Sequence, residues 1–392
     1  MTDKTVPGTP AWLRARNDRA ALQLLLDHGT LTRNRLGELT GLSKPTASQM
    51  VQRLESADLI RAVGEVSAGR GPNAASYAVR ADAALGVAID LDGGSLRSTV
   101  VDVVGTEHPL AETVLEGDWS PADDVRRAIA AACTAAEIDP ARVDTVCIGL
   151  QGAVDPRTDE LHFADGLGAW QTPSVRSHLE AELGLLVLIE NDVNLAAVAE
   201  RSSGAGQGLG GFALLWLGEG LGLASDLGGV VHRGVSGGAG EIGYLPVPRT
   251  AVELDPEAEE LQDLIGGLPI TGLVAAAGGP AADYPAAIAA IETDPAIRDA
   301  VIPRLAPRIA IGVVPVLALL DPERIVLGGP TGAACGEALA AAVAAELRRG
   351  TQWRPDVAAT GVRRHPVLAG ARERLGTRLR SELFDRLDRI AL

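Results

Sequence analysis

Leu188 to Arg201, L-I-E-N-D-V-N-L-A-A-V-A-E-R, decides how the rest of the chain is read. Leu185 to Ile189 is a short continuous apolar run with β-branched members, while Leu195, Val198 and the alanines up to Ala199 keep a helical period. The pattern predicts strand, polar turn, helix, with Glu190, Asn191, Asp192 and Asn194 at the junction. Asn and Asp are favoured helix caps and acidic residues suit a first turn, so capping alone accounts for such a pair. The same place, outside the carboxyl end of a buried strand, is where open α/β sheets bind small ligands. There an ionised carboxylate can accept a proton from a sugar hydroxyl, as the general base of a hydroxyl kinase does.

At 392 residues the chain is too long for one ordinary domain, and two or three are expected. Hydrophobic residues make up 46% and aromatics only 3%, which leaves Ala, Val, Leu and Ile to fill a large core. There is no N-terminal apolar run of signal length and no uninterrupted apolar stretch of bilayer length, so a cytoplasmic protein with no membrane partner is expected. Cys133, Cys147 and Cys335 are scattered and odd in number, which suits buried thiols better than a disulfide framework or a paired-cysteine metal site. Charge is uneven. Residues 1–80 hold 11 Lys and Arg against 7 Asp and Glu, and the remainder holds 24 against 44. A basic head on an acidic body points to an anionic partner for the head alone.

In that head a helical period runs from Trp12 to about His28 and a second from Thr32 to Leu39. G-L-S-K-P-T-A-S-Q-M-V-Q-R-L-E follows, with Gly41 for a tight turn, Ser43 as N-cap and Pro45 in the first helical turn. This is a helix-turn-helix pattern. On its last helix Ala47, Met50, Val51 and Leu54 can face a core, while Lys44, Thr46, Ser48, Gln49 and Arg53 project outward, as docking into a DNA major groove requires. A plain three-helix bundle with a solvated polar face is the alternative. Against it, two strand-like runs after Asp58 flank S-A-G-R-G-P-N and read as the wing of a winged helix, with Arg70 at the tip for phosphate or minor groove. Arg14, Arg16 and Arg19 on the first helix add to the basic face. Residues 12–80 are therefore read as a winged helix-turn-helix domain that binds double-stranded operator DNA.

The acidic body alternates strands and helices. A buried strand from Leu85 ends in D-L-D-G-G-S (Asp90 to Ser95), a turn whose glycines can cradle phosphate and which is equally an ordinary hairpin. A helix from about Pro121 to Glu137 leads into V-D-T-V-C-I-G-L and the loop Q-G-A-V-D, and another helix from about Pro173 to Leu183 precedes the opening stretch. F-A-L-L-W-L and R-I-V-L-G-G are further strands. Two α/β units in tandem, with glycine-rich loops after the strands, imply a cleft between two lobes.

Three segments, Ile189 to Glu200, R-G-V-S-G-G-A-G-E-I-G (Arg233 to Gly243) and L-L-D-P-E-R-I-V-L-G-G (Leu319 to Gly329), resemble the ROK family of sugar kinases and sugar-responsive repressors. The resemblance runs from about Leu85 to the C-terminus, and the winged helix ahead of it resembles the repressor branch. It implies an α/β fold of two actin-like, ribonuclease-H-type lobes: 85–190 the first, 191–370 the second, and a last helix of about 371–392 returning to the first. It also implies that Asn191 and Asp192 bind sugar, Asp192 standing at the family's base, and that Glu241 contacts sugar hydroxyls. Gly152, Tyr244 and Gln262 complete the ligand set carried over, Gln262 standing for a second glutamate.

Departures from the family pattern are as informative. Asp92 replaces a glycine of the phosphate hairpin, and Glu219 in L-G-E-G-L-G intrudes on the second phosphate loop, where each carboxylate would repel a nucleotide. Tyr244 stands at the family's zinc-binding histidine, and no Cys or His occurs from Leu245 to Gln262, so no structural zinc is expected. Glu253, Asp255, Glu257, Glu259 and Glu260 fill that region and read as a solvated acidic loop. Gly166 stands where kinase members often carry asparagine. The leading expectation is a homo-oligomeric repressor, without cofactor, metal or enzymatic activity, whose operator binding responds to a sugar-like effector in the interlobe cleft. An active or bifunctional sugar kinase, and a regulator with a vestigial cleft, are the alternatives.

Overall fold

The computed structural model describes residues 9–66, 74–115, 120–164, 167–171 and 173–390. The head is built from α1 (Pro10–His28), β1 (Leu31–Thr32), α2 (Arg33–Thr40), α3 (Lys44–Ser56), β2 (Ile60–Val66) and β3 (Ala74–Val79). Thr9 and Thr32 cap α1 and α2 by accepting from the backbone N–H groups of Trp12 and Arg35. Gly41, at φ 70°, ends α2 in the left-handed turn that sets the angle to α3. The three strands pair antiparallel in the order β1-β3-β2, giving the expected winged helix. Its wing tip, Arg70 included, lies outside the described residues.

The first large sheet starts as an antiparallel meander of β4 (Leu85–Asp92), β5 (Ser95–Asp102) and β6 (Ala111–Val114). Then follow α4 (Pro121–Ala135), β7 (Val143–Leu150), a small hairpin of β8 (Ala153–Val154) and β9 (Leu161–His162), α5 (Val175–Leu183), β10 (Leu186–Asn191) and α6 (Asp192–Ser203). β7 and β10 add parallel to β4, so the order is β10-β7-β4-β5-β6.

The second sheet repeats this plan. β11 (Gly211–Leu217), β12 (Leu221–Leu227) and β13 (Val230–Val231) form the meander. After α7 (Leu261–Ile265), α8 (Gly267–Ala276), α9 (Tyr284–Thr293) and α10 (Pro295–Leu320), β14 (Arg324–Gly328) joins parallel to β11. Helix α11 (Gly329–Gly350) leads to β15 (Asp356–Ala359), and the order is β13-β12-β11-β14-β15. Two sheets of one topology, each with helices against it, are the paired lobes that the strand pattern implied. Helix α10 is long and apolar enough to cross a bilayer by length and composition, although Arg304 and Arg308 keep it from being an uninterrupted apolar stretch. Its Val301, Leu305, Ile309, Val313 and Leu317 are buried in the second lobe's core.

Helix α12 (Pro366–Ile390) closes the chain, starting at Pro366 rather than near 371 because proline suits a first turn and the His365 carbonyl already accepts from the Ala369 N–H. It crosses α6 so closely that a Cβ on Gly370 would stand 1.8 Å from the Leu195 carbonyl oxygen. Its apolar face also completes the winged helix: Leu383 and Leu387 belong to one buried cluster with Leu22, Leu25, Met50 and Leu54. Arg386 of α12 donates to the Ala83 carbonyl of the connecting turn, and Arg19 of α1 pairs with Asp388 at 3.1 Å. That turn is stapled from the other side by Arg80, which pairs with both Asp58 and Asp82. The head is thus packed onto the body rather than strung from it.

Candidate functional site

Between the two large sheets lies a cavity of about 450 Å³ whose lining includes Asn191, Asp192, Glu241, Tyr244, Gln262 and Gly152. The whole ligand set expected from the sequence is therefore in one place. The opening stretch builds the floor. β10 delivers the chain to the sheet's carboxyl edge, and α6 starts at once with Asn191 as its N-cap. The Asn191 Oδ1 accepts from the Asn194 N–H at 3.0 Å and its Nδ2 donates to the Gly152 carbonyl at 3.2 Å. Capping and ligand-binding readings of Asn191 hold together, because an amide retains one N–H and one lone pair after these two bonds.

Asp192, in the first turn, accepts from the Val193 N–H at 2.8 Å. Burial is the largest influence on this carboxyl and lifts it to about 7; the Val193 bond opposes the rise, and nearby Asp90 and Glu241 add to it. Asp90, on β4 and 5% exposed, is likewise lifted to about 7 by burial, with Asp92 adding and Arg97 opposing. Glu241 is raised by burial too. Burial first, and repulsion between neighbouring carboxylates second, disfavours full ionisation of Asp90 and Asp192 near neutrality. The sequence reading treated Asp192 as simply ionised; burial makes its charge depend on pH.

Gln262 lines the cavity, but its Oε1 already accepts from the Leu221 N–H at 3.4 Å. Glu241 and Tyr244 follow the loop of Ser236 to Gly240, where Gly240 has φ 103° and a Cβ would stand 1.9 Å from the Leu223 carbonyl oxygen. At the phosphate-hairpin position, Asp92 is exposed and pairs with Arg97 at 3.0 Å, so its charge is partly offset rather than bare. Glu219 is exposed at the cavity lining. Gly166 lies outside the described residues.

Where the sequence suggested a solvated acidic loop, Asp255 pairs at 3.3 Å with Arg308, a residue 9% exposed that also donates to the Leu254 and Leu264 carbonyls. This side of the site is pinned by a guanidinium and by a backbone bridge of Pro246 with Glu260. Among the described residues no group of three or more His, Cys, Asp or Glu is placed to hold a metal ion.

Three features escaped the sequence reading. Glu190, 6% exposed, accepts from Arg233 at 2.7 Å, Arg374 at 2.8 Å and Asn194 at 3.2 Å, so one carboxylate joins β10, the second lobe's glycine-rich loop and α12. Phe163 and Trp216 also line the cavity. Pairing of distant charges leaves no periodic trace in a sequence, so Glu190 reads there only as part of the polar turn, and nothing marks Phe163 or Trp216 as cavity residues.

On the head, Lys44 and Gln49 of α3 are exposed, while Thr46 and Ser48 are half-buried and the Thr46 hydroxyl bonds that of Ser43 at 2.8 Å. Arg53 corrects the expectation of an outward reader: its Nε donates to Asp18 of α1 at 2.9 Å and a second bond runs from its Nη2. The Asp18 carboxylate, 5% exposed, draws it inward to tie α3 to α1. Arg19 is also engaged, with its guanidinium 4.5 Å from the Phe384 ring centroid. Arg14 and Arg16 remain exposed.

A winged helix joined to two lobes of repeated topology, with a carboxyl-lined cavity between them, is the class that the fold and site define. Residues 87–372 match the ROK family and residues 14–61 match winged helix-turn-helix DNA-binding domains; the chain belongs to the ROK family. It is 25% identical over 235 residues to the xylose repressor of Bacillus spizizenii, covering 59% of this chain and 60% of that protein. It is 31% identical over 165 residues to the glucokinase of Streptomyces coelicolor, covering 41% and 49%. The chain spans about 60% of the length of the repressor relatives it matches. In fold it is similar to a ROK family transcriptional regulator described as a homologue of the Escherichia coli Mlc protein, with a TM-score of 0.68, 20% identity and coverage of 97% of this chain and 98% of that one.

Proposed function

We propose that the protein is a sugar-responsive DNA-binding repressor in which the winged helix, residues 12–80, reads operator DNA and the interlobe cavity binds the effector. The observation that carries this reading is the packing of α12, which shares one apolar cluster with the winged helix and reaches the cleft floor through Arg374 and Glu190. The body divides functionally into a first lobe, 85–190 with the returning helix, and a second, 191–370. Ligand hydroxyls bond Asp192 and Glu241, with Asn191, Gly152, Tyr244 and Gln262 around them. Lys44 and Gln49 lead on the DNA side, supported by Thr46, Ser48 and Arg70. A dimer presents two such helices to paired half-sites.

Both lobes contribute to Glu190's partners, so a ligand that draws the lobes together shifts Arg233 and Arg374 relative to each other and loads α12. By linkage, effector and operator then alter each other's affinity by the same factor. No cofactor is needed for this. A sugar kinase is the competing reading, favoured by Asp192 at the helix start; the carboxylates Asp92 and Glu219 at the phosphate-loop positions weigh against it.

The test has two stages. Duplexes selected by the full chain from a randomised pool give the operator. A thermal-shift panel of free and phosphorylated sugars then gives the effector, because a ligand of the native state raises its melting point. Release or tightening of the selected duplex by the sugar hit supports the reading. No selected duplex, or sugar-dependent ADP formation well above a blank, overturns it.

A further inference from the structure

We propose that Phe163 and Tyr244 form an aromatic subsite at the mouth of the cavity, which selects a ligand carrying a second ring, a disaccharide or an aryl glycoside, over a single sugar. The inference rests on the sugar reading of the cleft and specifies what that sugar carries.

The cavity lining offers both polar groups and aromatic rings. Asp192, Asn191 and Glu241 can engage the hydroxyls of one ring, and none of them offers an apolar face. Phe163, just after β9 in the first lobe, and Tyr244, just after Glu241 in the second, meet with ring centroids 5.6 Å apart and planes tilted by 46°. Both line the cavity, and at 45% and 47% exposure they leave apolar ring surface in solvent. The chain has only three Phe and three Tyr, and its other two phenylalanines, Phe212 and Phe384, are 1% and 9% exposed. Phe163, half in solvent and set against a ring from the other lobe, thus differs from both of the chain's other phenylalanines.

Placement of the Phe163 ring is costly and specific. Its φ of 56° is a region that a bulky side chain rarely adopts and that surrounding structure must enforce. The ring packs closely over Gly238, where a Cβ would stand 2.9 Å from it and force a shift. Aromatic faces take the apolar C–H face of a pyranose or stack on an aryl group, and binding sites commonly pair such faces with a few fixed polar groups. A cavity of about 450 Å³ has room for a second ring beyond the first.

If the pair were only a latch between lobes, its removal would weaken every ligand alike. The discriminating measurement is calorimetric titration of the full chain with matched methyl and phenyl β-glycosides of glucose and xylose. For at least one sugar the phenyl glycoside should bind about tenfold tighter or more. Phe163→Ala should bring that ratio toward one, with methyl glycoside affinity within about twofold of the parent; Tyr244→Ala should also bring the ratio toward one while weakening both glycosides, and Tyr244→Phe should keep it. A ratio near one in the parent protein, or a ratio kept in both alanine variants, overturns the subsite while leaving sugar binding in place. If neither glycoside series binds, the sugar reading fails and the subsite with it. Melting curves identify any variant that does not fold; should Phe163→Ala be one, Tyr244→Ala decides.

Discussion

Arg374 of α12 donates to Glu190 at 2.8 Å, and Glu190 is the residue immediately before the Asn191 and Asp192 of the cleft floor. Fourteen residues further along the same helix, about 21 Å at 1.5 Å per residue, Asp388 holds Arg19 of the winged helix. One helix thus ends on the winged helix and is anchored beside the cleft floor. Arg233, Glu190's other guanidinium partner, comes from the opposite lobe, so the cluster is sensitive to how the lobes sit.

Removing Glu190's charge strands two guanidinium groups. Glu190→Gln is expected to lower stability by about 3 kcal/mol, and Arg374→Met by less, because Arg233 still compensates the carboxylate. Urea denaturation checks both. If the two variants are as stable as the parent, the cluster is not a structural tie.

The two basic residues singled out on α3 should behave differently. Lys44→Glu reverses an exposed charge and should abolish operator binding with the melting point unchanged, while Arg53→Glu places a second carboxylate against Asp18 and should lower the melting point itself. Gel-shift and melting measurements on both variants separate these cases. Undiminished DNA binding by Lys44→Glu would remove α3 as the reading helix.

The raised carboxyls fix the direction of two pH effects. Asp90 and Asp192 carry folded values of about 7 against 3.8 in a free chain, so their contribution to stability is fully present below 3.8 and is lost as pH rises through 7. The ligand-free protein should melt lower at pH 8 than at pH 6, and Asp192→Asn should shrink the difference. A sugar hydroxyl that donates to ionised Asp192 shows the opposite trend, binding about tenfold tighter at pH 8 than at pH 6. Ligand affinity that falls over this range would mean that the neutral acid is the binding form.

Local signals made much of the fold readable. Ala47, Met50, Val51 and Leu54 sit inside α3 as their spacing required, and Asn191 caps α6 where the apolar run stops. Glycine-rich loops and the order of motifs brought Asn191, Asp192, Glu241 and Gln262 to one cavity. What periodicity could not show was pairing across the chain. Arg53 has the spacing of an outward residue, yet a buried carboxylate 35 positions earlier turns it inward. Glu190 looked like part of a polar turn, and its partners lie 43 and 184 residues away. Burial changed the chemistry of Asp192 in the same way, since a sequence shows the carboxyl and not its surroundings.

If the cleft is the effector site and controls the head, weakening the cleft must weaken the response of operator binding to the effector. Charge-assisted hydrogen bonds in a largely closed cleft contribute roughly 1.5 to 3 kcal/mol each, so losing one should weaken the effector by about tenfold to a hundredfold. The measurement is a titration of operator binding with and without the effector found in the thermal panel, for the parent protein, Asp192→Asn and Glu241→Ala. Both variants should bind operator as the parent does without effector, and should need about tenfold to a hundredfold more effector to respond. A response by both at the parent's effector concentration would contradict the account and leave the cleft a vestigial scaffold.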